Sequence, residues 1–181
     1  MSNIVLINGS LNPNSNTKKL IVLMSKLLER EGLSSEIIDI DNLNLPLFNP
    51  ATPPHKDLVK ILTKFMNTKA FIIGSPEYHG GYSGALKNFI DHLNGDVFSN
   101  KPIGLIASSG GIKAGTNTLN GLRLVFRNLH ALVIPQQLAI SSKEINDNNL
   151  SPECKKRLIE FANEFIHYTK LMHSKNPHSI Q

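Results

Sequence analysis

Short apolar runs alternate along the chain with segments whose apolar residues recur at helical spacing. The first run, residues 4–7, contains only aliphatic side chains and predicts a strand buried on both faces. Further strands are predicted at residues 34–40, 69–75, 102–108 and 131–135. Strands and helices that alternate in this way predict a parallel sheet with helices on both faces.

The segments between the strands have the spacing of amphipathic helices. They are predicted before Gly32, at residues 56–67, 85–93 and 116–129, and around Leu158, Phe161, Phe165 and Met172. Five strands in 181 residues predict an α/β three-layer sandwich with the flavodoxin-like strand order 2-1-3-4-5. We expect one domain over residues 1–174 and a loose tail at residues 175–181. A ligand is expected outside the carboxyl ends of the strands, between strands 1 and 3.

Composition narrows the functional class. Hydrophobic residues make up 40% of the chain and charged residues 18%, which is typical of a folded globular protein. No apolar run reaches the roughly 20 residues that cross a bilayer, and no basic leader precedes residue 4, so we expect a cytoplasmic protein without membrane attachment. The formal net charge of +5 suits an anionic small molecule, whereas scattered cations and 6% aromatic residues argue against nucleic acid as a partner.

Cysteine and histidine offer little for metal or disulfide chemistry. Cys154 is the only cysteine, which rules out an internal disulfide and a thiolate cluster. The basic residues after it would lower its pKa if it were exposed, but a structural thiol is the simpler interpretation. The seven histidines show no pair spaced for a helical metal site, so no metal is expected.

The loop predicted after the first strand is rich in hydroxyl and amide side chains. Its polar residues, just before a helix, are Ser10, Asn12, Asn14, Ser15, Asn16 and Thr17. Such groups at a helix N-terminus favour a phosphate, although an N-cap by Ser15 alone is an equally simple explanation. The glycine patterns of the two common nucleotide loops are absent, which favours a single terminal phosphate over a pyrophosphate.

The segment after the third strand, residues 76–81, has features of a site for a flat ring. Pro76 restricts the backbone, Gly80 and Gly81 permit close approach, and Tyr78 presents an aromatic ring. Backbone N–H groups here are placed to bind the edge of a heteroaromatic ring. A turn that is only stiffened by proline and glycine is the alternative.

Two more residues of this segment and a third loop complete the predicted site. Glu77 and His79 would orient the segment or contact a partner subunit. A loop with Ser109, Gly110 and Gly111 follows the fourth strand on the same sheet edge and would approach the other side of the ring. A plain connector explains this loop nearly as well.

Taken together, the loops resemble those of the NAD(P)H-dependent FMN reductases, a flavodoxin-like family that includes quinone, azo-dye and chromate reductases. Members carry Gly-Ser-x-Arg-x-x-Ser-x-Asn after strand 1, where this chain has Gly9 to Thr17. They carry Pro-Glu-Tyr-Asn, then Gly-x-Leu-Lys-Asn-x-x-Asp, after strand 3, and residues 76–91 match this pattern closely. The resemblance covers roughly residues 3–135.

The resemblance implies an enzyme that passes hydride from NADPH or NADH through N5 of FMN to free flavin, a quinone or a similar acceptor. It implies that Ser10, Ser15, Asn16 and Thr17 hold the FMN phosphate and that Asn12 is a further cofactor-binding residue. It also implies that Pro76 to Gly80 and Ser109 to Gly111 line the isoalloxazine. The chemistry belongs to the flavin, so no catalytic side chain is nominated. A homodimer or homotetramer is expected, with Phe89 or Leu93 near the seam.

Two residues depart from the family pattern. Asn12 stands where the family has arginine, which removes a cation near the flavin or the NAD(P)H phosphate. His79 stands where the family has asparagine, which changes the hydrogen bonding expected near the ring or the dimer contact. Both departures concern contacts that would affect the affinity for FMN and the preference between NADPH and NADH.

Two other functions fit parts of the sequence. A flavodoxin-type electron carrier would share the fold, but carriers are usually acidic, with aromatic residues flanking the flavin. A serine hydrolase would use Ser109 in an incomplete nucleophile elbow, followed by Asp147 and His167 in hydrolase order. The tight strand-turn-helix of that motif is missing here.

Overall fold

Five parallel strands form the central sheet of the computed structural model, which describes residues 4–111, 115–146 and 149–174. The strands are β1 (Ile4–Asn8), β2 (Ser35–Asp39), β3 (Ala70–Tyr78), β4 (Pro102–Ser109) and β5 (Leu132–Ser141). Their order across the sheet is β2-β1-β3-β4-β5, which confirms the predicted flavodoxin-like order. The strand order reverses between β1 and β3, where a crevice forms at the carboxyl edge.

Helices cover both faces of the sheet, as predicted. They are α1 (Asn16–Arg30), α2 (Lys56–Asn67), α3 (Gly84–Asp91), α4 (Thr116–Asn128) and α5 (Pro152–Ser174). Gly32, with φ of 74°, follows the end of α1, where a left-handed residue is common. None of the helices in the described part of the chain combines the length and hydrophobicity that a bilayer crossing requires.

The apolar core is divided by the sheet into two layers. Val5 and Ile7 pack with α2, α3 and α4 on one face, whereas Ile4 and Leu6 pack with α1 and α5 on the other. Consecutive residues of a strand point to opposite faces, so a strand covered on both faces must be apolar at every position. This explains the uninterrupted apolar run at residues 4–7.

The third strand is longer than the sequence predicted. Residues 76–78, expected in a loop, continue β3, and a two-residue strand (Gly81–Tyr82) folds back against Glu77 and Tyr78. Pro76 is tolerated because the pairing of β1 with β3 ends at Gly74, so its missing N–H interrupts no bond to β1. The segment is therefore a β-hairpin rather than an open loop.

The fifth strand also continues past its predicted end at residue 135. Pro135 suggested a stop, but β5 is an edge strand, and the register with β4 shifts between Ile103 and Leu105. Arg123 of α4 donates to the backbone carbonyl oxygens of the irregular segment 133–135, at 3.0–3.4 Å. The guanidinium thus satisfies carbonyl groups that the irregular pairing exposes.

The segment after β5 turns back toward α5. It contains a short 3₁₀ helix (Ser142–Glu144) and a small antiparallel pair of strands (Ile145–Asn146 and Asn149–Leu150). An ion pair between Glu144 and Arg157 ties this segment to α5. The predicted tail, residues 175–181, lies outside the described residues.

Candidate functional site

A pocket of about 260 Å³ opens at the carboxyl edge of the sheet, where the segments after β1, β3 and β4 meet. Its lining residues are Asn12, Asn14, Ser15, Asn16, Pro76, Glu77, Tyr78, Ser108, Ser109, Gly110 and Ser142. The three predicted segments are thus brought together at the predicted switch point. Five predicted site residues, Ser10, Thr17, His79, Gly80 and Gly111, do not line the pocket.

The loop after β1 is ordered by its own side chains. The Asn8 side chain accepts a hydrogen bond from the Ser10 N–H (3.3 Å), and the Ser10 hydroxyl accepts one from the Asn12 N–H (3.2 Å). The Asn12 side chain in turn accepts from the Asn14 N–H (2.9 Å). Ser10 is buried, and its hydrogen bonds are made within this loop. This explains why Ser10 does not line the pocket.

The N-terminus of α1 faces the pocket through Ser15 and Asn16. The Ser15 hydroxyl accepts a hydrogen bond from the Lys18 N–H (3.1 Å), so the predicted N-cap is present. The first N–H groups of a helix have no partner within it, and those of Asn16 and Thr17 have no acceptor among the described residues. The cap therefore coexists with two unpaired donors that suit an anion.

The buried hydroxyl of Thr17 has a structural partner. Its oxygen lies 2.7 Å from the hydroxyl oxygen of Ser108 at the end of β4. This contact joins the start of α1 to the strand that carries the third loop. Thr17 was predicted to bind the phosphate; its hydroxyl contacts Ser108, and its backbone N–H has no acceptor among the described residues.

Charge is sparse in the pocket. The ammonium group of Lys18 lies 2.5 Å from the carboxylate of Asp39 at the end of β2, so this cation is neutralised locally. Among the described residues, the pocket lining contains no lysine or arginine. Asn12 does not replace the missing charge, so an anion here would be bound mainly by hydrogen bonds and by the dipole of α1.

Glycine allows the strands to approach closely beneath the pocket. The Gly9 N–H donates to the Gly74 carbonyl oxygen at 2.8 Å, and a Cβ atom on Gly9 would lie 2.7 Å from that oxygen. The Ser83 hydroxyl donates to the Gly9 carbonyl oxygen at 2.5 Å and, as the N-cap of α3, accepts from the Leu86 N–H in the first turn of that helix. Gly9 is thus required by the packing of the loop.

The hairpin formed by the end of β3 and the short strand Gly81–Tyr82 forms one wall of the pocket. Pro76, Glu77 and Tyr78 line it, and the Tyr78 side chain is 54% exposed. The turn consists of His79 and Gly80, with φ of 51° and 77°, and neither residue lines the pocket. Two consecutive residues with positive φ are typical of the tight turns that join β-hairpins.

Glu77 orients the hairpin, as one of its predicted roles requires. Its carboxylate accepts a hydrogen bond from the Thr118 N–H (3.1 Å) in the first turn of α4. The residue before that helix, Gly115, has no side chain to cap it. The carboxylate therefore supplies the N-terminal cap of α4 and holds the wall of the pocket against that helix.

The third loop lines the pocket through Ser109 and Gly110. The Ser109 hydroxyl donates to the Gly111 carbonyl oxygen (3.2 Å), and the Ser142 hydroxyl donates to the Gly110 carbonyl oxygen (3.3 Å). Ser142 was not predicted because the end of β5 was placed six residues too early. A correct end of β5 at residue 141 would have indicated it.

The structure does not assemble the hydrolase alternative. Ser109 is engaged with the backbone of its own loop, and His167 lies on α5 and does not line the pocket. Asp147 lies outside the described residues. The ring of His167 instead contacts that of Tyr168, at 5.5 Å between centroids.

Cys154 lies in the first turn of α5 and is buried, as the structural interpretation expected. Burial raises the pKa of its thiol, and the nearby Glu144 carboxylate acts in the same direction, against the opposing effect of Arg157. The described residues also contain no group of three or more metal-ligating side chains close enough to bind an ion.

The donor set of the pocket fits FMN. Unpaired N–H groups at the start of α1 and hydroxyl and amide side chains suit a phosphate monoester. A tyrosine on a rigid hairpin and a glycine-containing loop on the opposite side suit a flat ring. By fold, the protein is flavodoxin-like, and a polar pocket lies at the switch point of its sheet.

Comparisons with known proteins identify the family. Residues 2–144 match the family model of the NADPH-dependent FMN reductases. An FMN-dependent NADPH-azoreductase of Staphylococcus aureus is 36% identical over 150 residues, which cover 80% of this chain and 79% of the relative. The chain therefore belongs to the NADPH-dependent FMN reductase family. It is an NAD(P)H-dependent oxidoreductase with FMN as its cofactor, and the electron-carrier alternative is not favoured.

Solved structures agree with this fold. The flavoenzyme NAD(P)H:(acceptor) oxidoreductase from Paracoccus denitrificans superposes with a TM-score of 0.78 at 20% identity, covering 95% of this chain and 99% of that one. The apo form of an NADH:FMN oxidoreductase superposes with a TM-score of 0.77 at 21% identity, covering 99% and 92%. These likenesses concern the fold.

Proposed function

We propose that the pocket at the carboxyl edge holds FMN and serves the reduction of a quinone or an azo compound by NADPH or NADH in the cytoplasm. The meeting of the segments after β1, β3 and β4 around the start of α1 supports the proposal most directly. The name of the 36% identical relative adds azo compounds to the acceptors considered.

In this proposal the protein binds and orients the cofactor. Ser15, Asn16 and the N–H of Thr17 bind the phosphate, and Asn12 takes part through its amide. Pro76, Glu77 and Tyr78 contact the ring on one side, and Ser109 and Gly110 on the other. Held by these residues, FMN would supply the chemistry that links oxidation of a nicotinamide nucleotide to reduction of an acceptor. Backbone N–H groups of the hairpin and the third loop would stabilise negative charge on a ring held between them.

Five residues of the predicted site take indirect roles. Ser10 orders the phosphate loop, and the Thr17 side chain joins α1 to β4. His79 and Gly80 form the hairpin turn, and the Gly111 carbonyl holds Ser109. Substitutions at these positions are expected to weaken FMN binding by disturbing the pocket walls.

Titration of the purified protein with FMN, followed by absorption spectroscopy, tests the proposal. Binding should perturb the flavin bands, and anaerobic NADPH or NADH should then bleach them. Riboflavin is the matched control, because it keeps the ring and lacks the phosphate. Equal affinity for riboflavin and FMN would contradict the assigned phosphate site, and bound flavin that neither nucleotide bleaches would contradict the reductase activity.

We also propose that the protein forms a homodimer through α3 and α4. A groove of about 400 Å³ lies between these helices, and Leu124 on its rim is 66% exposed. Phe89, one of the two residues expected near the seam, is buried inside the subunit and packs beneath this surface. Leu93, the other, is only slightly exposed. An exposed leucine beside an apolar groove favours contact with another subunit.

Sedimentation of Leu124→Glu tests the dimer. A buried charge at the seam should shift the protein toward monomers at micromolar concentration. Ile159→Glu is the matched control, because Ile159 is 49% exposed on α5, on the opposite face of the sheet. A wild-type protein that sediments as a monomer would overturn the proposal.

A further inference from the structure

A groove runs along the outer side of α1, next to α5 and the short strand Asn149–Leu150. It consists of two cavities, of about 270 Å³ and about 440 Å³, that share the lining residues Leu23, Lys26 and Leu150. No residue that lines either cavity also lines the FMN pocket. The two cavities are therefore one continuous feature, separate from the cofactor site, and we call it the basic groove.

The charges that line the basic groove have one sign. Five of the 19 lysine and arginine residues of the chain line it, whereas no aspartate or glutamate does so among the described residues. The five cations are Lys18, Lys19, Lys26, Arg30 and Lys155.

Three of these cations are not neutralised by neighbours within the described part of the chain. Lys18 pairs with Asp39, but no ion pair joins Lys26, Arg30 or Lys155 to another described residue. All three side chains are exposed at the rim of the groove. Such a local excess of positive charge attracts an anion.

The floor of the groove is apolar. Leu150 and Leu158 are buried there, and Leu23 and Leu27 of α1 are half-buried. Residues four apart on a helix lie on the same side, so the row of Leu23 and Leu27 runs beside the row of Lys26 and Arg30. A ligand in the groove would therefore meet an apolar surface and a line of cations together.

The shape of the groove suits one extended chain. From Lys19 to Arg30 the helix advances about 16 Å, which is comparable with a medium-length alkyl chain. The combined space lies in the range that small-molecule sites occupy. Because the buried leucines lie below the cationic rim, a flat lipid surface would contact the cations and leave most of the apolar floor uncovered. A single chain can enter between the rims and cover it.

The chain's own last residues do not complement the groove. Residues 175–181 contain a lysine and no acidic residue, so their charge has the same sign as that of the rim. The charge and the apolar floor together favour a separate molecule that is both anionic and aliphatic.

We propose that the basic groove binds a free medium-chain carboxylate. The alkyl chain covers Leu23, Leu27 and Leu150, and the carboxylate is bound by the cations of the rim. This binding is independent of the proposed function, because no residue of the FMN pocket takes part in it.

Calorimetric titration of the protein with dodecanoate, below its micelle concentration, tests the proposal. FMN is kept at saturating concentration so that the donors at the start of α1 are not available to the probe. Octanoate should bind about tenfold more weakly, because it buries fewer methylene groups. Dodecyltrimethylammonium has the same chain with a positive charge and should not bind. Absent dodecanoate binding, or equal affinity for the cationic probe, would overturn the proposal.

A charge reversal places the carboxylate in the groove. Lys26→Glu should weaken dodecanoate binding by about tenfold, because an attractive contact becomes a repulsive one. Lys60→Glu is the matched control, because Lys60 is equally exposed on α2 on the opposite face of the sheet. Both variants change exposed side chains, so their unfolding midpoints should equal that of the wild type. An equal loss of affinity in the two variants would contradict binding at this groove.

A polar substitution tests the position of the alkyl chain. Ile159 lines the groove and is 49% exposed, so Ile159→Gln should weaken dodecanoate binding by about threefold without disturbing the core. Val59→Gln is the matched control, because Val59 is 54% exposed on α2. An unchanged affinity in Ile159→Gln would contradict the proposed position of the chain.

A lipid surface is the competing partner for a row of cations, and sedimentation with vesicles distinguishes it. The wild-type protein should stay in the supernatant with vesicles that contain phosphatidylglycerol. Sedimentation with these vesicles that Lys26→Glu abolishes would show that the groove faces a lipid surface, and it would overturn the proposal of a free carboxylate.

Discussion

His79 adopts a backbone conformation that histidine adopts at some cost. It occupies the first position of the hairpin turn with φ of 51°, and Gly80 follows with φ of 77°. Turns with positive φ at both positions strongly favour asparagine followed by glycine. The family asparagine at this position thus has a conformational explanation in addition to any contact with the ring.

We therefore expect His79→Asn to stabilise the protein. The left-handed conformation costs about 1–2 kcal/mol for most residues, and asparagine should recover part of that. Thermal unfolding should show a higher midpoint. His167→Asn on α5 is the control, because histidine and asparagine have similar helix propensities. A midpoint no higher than that of the control would show that the turn tolerates histidine without strain.

Cys154 should report on unfolding. Because burial raises the pKa of its thiol, it stays protonated in the folded protein above pH 8.5, roughly where an exposed thiol ionises. Its contribution to stability is therefore present below that pH and is lost as the pH rises toward the folded-state pKa.

The expected result is slow reaction with a disulfide reagent at pH 8 and a sharp increase when urea unfolds the protein. Because the chain has one cysteine, the signal comes from a single site. Cys154→Ala should remove part of the stability loss seen as the pH rises above about 8.5. Rapid labelling of the native protein without urea would contradict the buried position of the thiol.

Among the elements, α4 depends on a residue from a different strand. Gly115 precedes the helix with φ of 67° and provides no cap, and the Glu77 carboxylate binds the Thr118 N–H instead. The family motif that includes Glu77 therefore serves the fold as well as the pocket wall.

Glu77→Gln should lower the free energy of unfolding by about 1 kcal/mol, because the amide keeps one acceptor but loses the favourable charge at the helix N-terminus. The unfolding midpoint should fall by about 2–4 °C in a chain of this length. Glu160→Gln on the exposed face of α5 should change it little. The affinity of Glu77→Gln for FMN should fall together with its unfolding midpoint. An unfolding midpoint equal to that of the wild-type protein would exclude the capping role.

The sequence predicted elements best where periodicity alone decides them. α2 begins and ends at the predicted residues, because three buried apolar positions at helical spacing, with the partly buried Leu62 beside them, define its inner face. The ends of β3 and β5 could not be predicted, because they depend on partners from distant parts of the chain. Pro76 and Pro135 suggested stops, but their neighbours in the sheet leave room for a residue without an N–H. Ser142 was missed for the same reason.

Similar limits apply to the polar residues of the site. Ser10, Ser15 and Thr17 offer the same hydroxyl chemistry in the sequence, yet only Ser15 lines the pocket. Ser10 faces its own loop, and Thr17 meets Ser108, which is 91 residues away along the chain. Local patterns identify such side chains as donors, but their partners follow from the way the loops pack.

At the scale of the whole molecule, the FMN pocket joins segments that the sheet alone does not connect. Its walls come from the ends of three strands and the start of α1. A ligand that contacts all of them binds the folded protein only, so it must shift the unfolding equilibrium. FMN at about one hundred times its dissociation constant should add about 2.7 kcal/mol to the free energy of unfolding.

This stabilisation corresponds to an increase of roughly 5–10 °C in the unfolding midpoint for a chain of this length. Riboflavin at the same concentration should give a smaller shift, because it leaves the donors of Asn16 and Thr17 unpaired. Inorganic phosphate alone should give a smaller shift as well, because it contacts only the start of α1. An FMN shift equal to that of phosphate would mean that the hairpin and the third loop do not bind the ring. An FMN shift equal to that of riboflavin would mean that α1 does not bind the phosphate.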